Sequence, residues 1–288
     1  MPQTINTNVN SINAQRNLSM SQSSLAVSMQ RLSSGLRVNS AKDDAAGLAI
    51  AERMTTQVRG MNVAIRNAND GISMSQTAEG AMGKVADSLQ RMRELSVQAA
   101  NATNSNSDKD SLDKEFGELA KEIQRVLGGT SFNGKNVLGS EAGSFQFQIG
   151  ANTTSNDTIA IITADLTADA TLTTVAGTDN TGSGRAVIDN TADATTIQGV
   201  INSIDAAITT VNGERALMGA SQSRFDSVIA NLQISVENQS AAKSRIMDTD
   251  FAAETANLSR SQILQQAGNA MVAQANQLPQ QVLQLLRQ

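Results

Sequence analysis

The chain has 288 residues and a net charge of −5, contains no Trp, Tyr, Cys or His, and has Phe as its sole aromatic, at 2% of residues. The acidic balance argues against a nucleic-acid partner, which needs a basic face. Without Cys or His there are no disulfides, thiol nucleophiles or imidazole bases, and most transition-metal sites are excluded. Aromatics dominate the packing of most compact cores, so a wide globular core is not expected.

Residues 3–39 are rich in Asn, Ser and Gln. Their apolar side chains still fall in register at Leu18, Leu25, Met29, Leu32 and Leu36, with Gln22 in the same stripe and Ile5, Val9 and Ile12 ahead of it. This predicts an amphipathic helix with an uncharged polar face, marginal by itself in water. Gly35 and Asn39-Ser40 predict a break, and Ser40 or Asp43-Asp44 a cap for the next helix. The opening Met-Pro-Gln-Thr-Ile-Asn-Thr-Asn has neither a basic n-region nor an apolar core, so a cleaved secretory signal is not expected.

Residues 43–100 predict a second long helix, with one run at Val58, Met61, Ile65, Ala68 and Ile72 and another at Ala78, Met82, Val85, Leu89, Met92, Ser96 and Ala99. The phase shifts between Gly71 and Gly80. Asn101–Ser107 predicts a turn, with Ser107 or Asp108 capping a third helix over 109–127. That helix carries Leu112, Phe116, Leu119, Ile123 and Val126 and should end at Gly128-Gly129. Phe145, Phe147 and Ile149 then alternate with Gln146 and Gln148, a strand signal. The Thr-, Ala-, Asp- and Gly-rich residues 157–190 read as hairpins and exposed loop.

From Ile197 to Ile246 an unbroken alternation of four and three residues departs from apolar only at Arg215, Gln222, Gln239 and Lys243. Such a seam marks a helix of roughly 75 Å built for coiled-coil packing, and residues 43–127 offer it a partner. The last segment, 251–288, holds Leu264, Gly268, Met271, Ala275, Leu278, Val282 and Leu285 in the same register. Pro279 inside it should kink the helix or end it at Leu278. The fold class is therefore mainly α, a long antiparallel helical bundle or coiled coil with a small β-hairpin region. No apolar run approaches the roughly 18 residues of a membrane span.

Neither end looks stable alone, so the two should pair with each other. Their Gln and Asn faces can be buried against further copies when the hydrogen bonds are met, and a non-closing contact between identical subunits makes a helical filament. Frayed tails on a monomeric bundle are the other reading. No chemistry is marked: Glu115, Glu118 and Glu122 read as a solvated helix face, and Asp248-Thr-Asp250 as a cap rather than a metal loop. No Gly-Lys-Ser/Thr follows Gly128-Gly129 or Gly182-Ser-Gly184, so neither is a phosphate loop. No catalytic residue, cofactor or metal site is expected, and the chain does not read as an enzyme.

Ile5-Asn-Thr-Asn-Val9, Ala14-Gln-Arg-Asn-Leu18, Arg31-Leu-Ser-Ser-Gly-Leu36 and Ala41-Lys-Asp-Asp-Ala-Ala-Gly-Leu48 closely resemble the N-terminal region of bacterial flagellins. Ser261-Gln-Ile-Leu-Gln-Gln-Ala-Gly268 and Gln274-Ala-Asn-Gln-Leu-Pro-Gln280 resemble their C-terminal region, and Ser131-Phe-Asn-Gly134 and Gln222-Ser-Arg-Phe225 match interior motifs. The likeness covers about 1–155 and 195–288. It implies an inner helical domain from 1–42 and 244–288, a rod domain from 43–155 and 195–243, and a short variable segment at 156–194 in place of an outer domain. It further implies a secreted subunit of the flagellar filament, exported unfolded without signal cleavage and polymerised at the distal tip, serving motility. A homo-polymer, an export chaperone, a filament cap and hook-junction proteins are the implied partners; nucleic acid and membrane are not. Self-assembly would fall to Leu18, Leu25, Leu32, Leu36, Leu264, Met271, Leu278, Val282 and Leu285. Many flagellins are detected by a host Toll-like receptor through a Gln-Arg-x-Arg-Glu-Leu motif. Here it stands as Gln90-Arg-Met-Arg-Glu-Leu95, which implies receptor contacts at Gln90, Arg91 and Leu95, with Glu115 in the partner position. A hook–filament junction protein, or a secreted coiled-coil adhesin, are the alternatives.

Overall fold

The computed structural model describes residues 7–285, and side chains for 7–277. Among the described residues the helices are α1 Val9–Ser34, α2 Ala45–Ala99, α3 Asn106–Gly129, α4 Ala170–Ala176, α5 Ala194–Met247 and α6 Phe251–Leu285. Two antiparallel pairs accompany them: β1 Ser131–Phe132 with β2 Lys135–Asn136, and β3 Ser144–Gln148 with β4 Thr158–Ile162. The mainly helical expectation holds. Contacts gather into two units, one of Met1–Gln57 with Glu237–Gln288 and one of Val58–Val236.

In the larger unit α2 buries Met61, Ala64, Ala68, Gly71, Ser75, Ala78, Met82, Val85, Leu89, Met92, Ser96 and Ala99, a single seam in alternating threes and fours. The expected phase shift does not occur. Gly71 and Ser75 occupy seam positions where an apolar count finds nothing. Gly71 is required there: a Cβ would meet the Phe225 ring of α5 at 2.8 Å. Ser75 meets its own polar need by donating to the Gly71 carbonyl at 3.0 Å. On α5, Ile197, Ile201, Ile204, Val211, Met218 and Phe225 are buried in the expected register. Gln222, one of its polar exceptions, donates to Glu79 of α2 at 2.9 Å.

The cap of α3 is Ser105, two or three residues earlier than expected. Its Oγ accepts from the Asp108 N–H at 3.3 Å while Asp108 accepts from the Ser105 N–H at 3.0 Å, so Asp108 is the reciprocal member of a capping box. The helix ends at Gly129, as the two glycines imply. The Ser131-Phe-Asn-Gly134 motif forms a two-residue hairpin turn with φ of 49° at Asn133 and 79° at Gly134, conformations open to Asn and Gly. In the β3–β4 pair the alternation is observed: Phe145 and Phe147 turn inward, Ile159 and Ile161 are buried opposite them, and Phe147 meets Phe225 edge-on at 5.7 Å.

Of residues 157–190, read as hairpins and exposed loop, 163–190 differ from the exposed loop expected of them. Leu166, Leu172, Val175 and Ile188 are fully buried, and α4 lies among them. The segment is shaped by a recurring Asp-x-Thr device. Asp165, Asp169, Asp179 and Asp189 each accept from the N–H of the Thr two residues on and from its hydroxyl. Such side-chain turns supply the backbone with partners that neither helix nor strand provides. Arg185 then fastens the segment to α3. It makes two bonds to Asp113, at 2.9 and 2.5 Å, its guanidinium lies 5.9 Å from the Phe116 ring centre, and a Cβ on Gly117 would meet it at 3.1 Å.

Not every helical glycine has such a reason. A Cβ on Gly80 of α2 meets nothing within 4 Å. Gly80→Ala is therefore expected to stabilise the free chain by up to about 1 kcal/mol, the helix-propensity difference, read as a higher urea midpoint.

Candidate assembly surface

The smaller unit is built on the antiparallel pair α1–α6. Gly35 ends α1 in the left-handed region, with φ of 71°, and its N–H reaches Arg31 O at 2.8 Å. The chain then bridges to the start of α6: Arg37 N donates to Met247 O at 2.6 Å, Thr249 N to Gly35 O at 3.0 Å, and Leu36 faces Asp248. Val38, Ala51 and Met247, with Leu36, Leu48 and Ile246 against them, form a small core at this clasp. Asp250 caps α6 through the N–H groups of Ala252 and Ala253, at 2.9 and 3.2 Å, the cap role expected for this acidic pair.

From the clasp one register runs down the pair. Arg31 approaches Glu254 at 3.8 Å, Leu18 sits over Gly268 so closely that a Cβ there would lie 3.1 Å away, and Ser11 Oγ meets Asn276 Oδ1 at 2.7 Å. At the far end Asn8 caps α1 with its Oδ1, accepting from Ser11 N, and donates through Nδ2 to the carbonyl of Ala275 at 2.7 Å. That carbonyl is the one Pro279 cannot serve, having no N–H to offer four residues back. α6 does not end at Leu278 but continues to Leu285. Of the two outcomes expected at Pro279, a kink or an end at Leu278, the end is excluded, and the Asn8 amide supplies the missing donor.

The seam inside the pair differs from the apolar register. On α1 the inward positions are Ser11, Ala14, Leu18, Ser21, Leu25, Ser28 and Leu32; Gln22 and Met29, expected there, face outward. On α6 they are Glu254, Leu258, Ser261, Gln265, Gly268, Val272 and Ala275. Leu18, Leu25, Leu32 and Leu36 are half-buried, whereas Leu264 and Met271 are exposed. Leu278, Val282 and Leu285 have side chains outside the described residues, as does all of Ile5. Serines and a glutamate are thus inside, while Val9, Ile12, Met20, Val27, Met29, Ile263, Leu264 and Met271 lie outside, each more than 40% exposed. Small side chains let the backbones approach, and the larger apolar surface is left uncovered. Met20, Val27 and Leu264 line a groove of about 850 Å³ with Arg31, Glu254 and Arg260, and the Arg31 Nε within it is buried with no hydrogen-bond partner.

Two family descriptions match the chain, bacterial flagellin N-terminal helical region over residues 5–142 and bacterial flagellin C-terminal helical region over 201–286. The flagellin of Halalkalibacterium halodurans is 44% identical over 283 residues, covering 98% of this chain and 99% of that one. The chain belongs to the flagellin family. The flagellin of Xenorhabdus nematophila is similar at 42% identity over 315 residues, covering all of both chains. Flagellin A of Vibrio cholerae is 36% identical over 376 aligned residues, with 98% of this chain and 99% of that one covered, so this flagellin is a short form. It is a structural subunit of the extracellular flagellar filament and not an enzyme. The adhesin reading falls away. Among the described residues no helix is long and apolar enough to cross a membrane.

The second surface of this flagellin lies on the larger unit. Gln90, Arg91 and Glu115 are exposed, and Arg91 bonds Glu94 at 2.9 Å and Glu115 at 2.8 Å. Those bonds, to Glu94 first and then Glu115, raise the guanidinium pKa. The neighbouring Arg93 reaches across to Asp205 of α5 at 2.6 Å. Leu95 is placed otherwise than the motif implied. It is fully buried, because its helical spacing from Met92 and Ala99 sets it on the inner face of α2. Its side chain belongs to the core and is not presented to a partner.

Proposed function

We propose that copies of this flagellin join through the α1–α6 pair, and that this inner domain, 1–42 with 244–288, makes the filament's continuous contact. One observation carries the reading: the pair encloses serines beside its half-buried leucines and leaves Val9, Ile12, Met20, Val27, Ile263, Leu264 and Met271 exposed. An exposed apolar face of this extent on both helices is the mark of an interaction surface. Leu18, Leu25, Leu32 and Leu36 hold the pair together, Leu264 and Met271 face other copies, and Leu278, Val282 and Leu285 extend that line by sequence register. The rod domain, 43–155 with 195–243, carries the 156–194 segment. A chain truncated before Leu278 is expected to stay soluble and fail to elongate filament seeds. Normal growth from that truncation, watched by electron microscopy, would sink the reading.

Family membership supports the finer steps. The chain is exported unfolded through the flagellar type III apparatus without signal cleavage, handed over by an export chaperone, added at the distal tip beneath the filament cap, and founded on hook-junction proteins. Secretion from a strain lacking that apparatus would count against this route.

The exposed Gln90, Arg91 and Glu115 support contact with a host Toll-like receptor, with Leu95 contributing through packing alone. Arg91→Ala is expected to lower receptor signalling by folded monomer about tenfold or more, the loss typical of a charged anchor residue. Unchanged signalling by that variant overturns the contact.

A further inference from the structure

The chain has eleven methionines; Met1 lies outside the described residues and Met54 is half-buried, and the other nine divide sharply. Met74, Met82, Met92 and Met218 of the larger unit are at most 2% exposed, and Met61 and Met247 are also buried. Met20, Met29 and Met271 are 55%, 57% and 64% exposed, and all three lie on α1 or α6. Met20 lines the groove beside Val27 and Leu264. Met271 follows Leu264 by seven residues, two turns along the same face of α6, and Met29 lies two and a half turns from Met20, on the far side of α1.

We propose that Met20, Met29 and Met271 form an oxidation-sensitive set, and that their sulfoxides block addition of the subunit to a filament. The proposal rests on the assembly reading above. Methionine suits an apolar contact that must form after the subunit arrives, since its unbranched side chain adapts to the surface it meets. The same thioether is open to a peroxide in the free subunit. Hydrogen peroxide transfers one oxygen to the sulfur: the S–O bond forms, the peroxide O–O bond breaks, the sulfur loses two electrons, and the other oxygen leaves as water. The product sets a polar oxygen on side chains such as Met20, beside Val27 and Leu264, and burying it against a neighbouring copy's apolar side chains costs free energy. Sulfurs in the core are shielded, so the fold survives the oxidant while the assembly face does not. In a filament the three sulfurs are covered and resist oxidation.

The test treats full-length monomer with limiting hydrogen peroxide, maps sulfoxides by peptide mass spectrometry, and follows elongation of filament seeds. Sulfoxide is expected first at Met20, Met29 and Met271, with helicity unchanged and elongation slowed about tenfold or more, the effect of burying one unpaired oxygen. The combined variant Met20→Leu, Met29→Leu, Met271→Leu keeps the volume nearly constant and should elongate equally with or without peroxide. Equal oxidation of Met82 and Met92, normal elongation by the oxidised chain, or equal inhibition of the leucine variant would each overturn the proposal. Should the leucine variant itself fail to elongate, treatment of oxidised wild type with methionine sulfoxide reductase decides: recovered elongation supports the proposal and continued failure overturns it. The two readings separate cleanly. If the chain truncated before Leu278 elongates while the oxidised chain does not, the part of the assembly reading that needs Leu278, Val282 and Leu285 fails while the contact at Met20, Met29 and Met271 stands.

Discussion

Phe225→Ala is expected to lower the stability of the larger unit by about 3–5 kcal/mol, the range for removing a buried aromatic ring. The ring is fully buried, stands edge-on to Phe147 at 5.7 Å and fills the space that Gly71 leaves on α2, so one substitution removes contacts to two elements, β3 and α2. Urea unfolding followed by helicity measures the loss. Gly71→Ala supplies the complement. A Cβ 2.8 Å from the ring edge forces the two helices apart in the native chain and meets no ring in the Phe225→Ala background. The two effects should therefore be strongly non-additive. Additive values would mean that Phe225 does not set the spacing of α2 and α5.

Asp113→Ala should cost about 3–5 kcal/mol, because it strands a charged group away from water. Arg185 and Asp113 have side chains only 18% and 12% exposed, and Asp113 also accepts the Ile188 N–H at 3.0 Å. Hydrogen exchange at Ile188 reports the release, and protection unchanged in the variant would refute the anchor. The native pair also sets a pH dependence. Burial pushes the Asp113 carboxyl upward, but the Arg185 guanidinium and the Ile188 N–H outweigh it and hold the group below the ordinary aspartate range. A carboxyl depressed in the folded state contributes its full stability above the unfolded value, about 3.9, and loses it as the pH falls through the lower folded value. Residues 177–192 should thus stay docked from neutral pH to about pH 5 and loosen only in stronger acid.

How much was legible varies with what the residues are for. The α5 seam was readable from Ile197 to Phe225, because its partners there are inside the chain and the seam side chains point at them. The α2 seam was broken on paper at Gly71 and Ser75, where close approach, not hydrophobicity, selects the residue. On α1 and α6 the apolar register misled in a systematic way. The register places Gln22 and Met29 inward, whereas Ser21 and Ser28 take the inner positions, because close approach of the two backbones selects small side chains there. The Asp-x-Thr repeat was present in the sequence all along; its fourfold recurrence between Asp165 and Thr191 was the available sign that this segment is ordered. Leu95 could have been placed by spacing alone, since Met92 and Ala99 share its face.

The Asn8 amide that serves the Ala275 carbonyl ties together two residues 267 positions apart. A chain missing either end lacks one of the two groups, so either the carbonyl ahead of Pro279 has no donor within the protein or Asn8 has no acceptor there. The last helix gains its full set of hydrogen bonds only in a molecule whose first helix has taken its place, so clipping the chain through Asn8 should loosen the far end of α6.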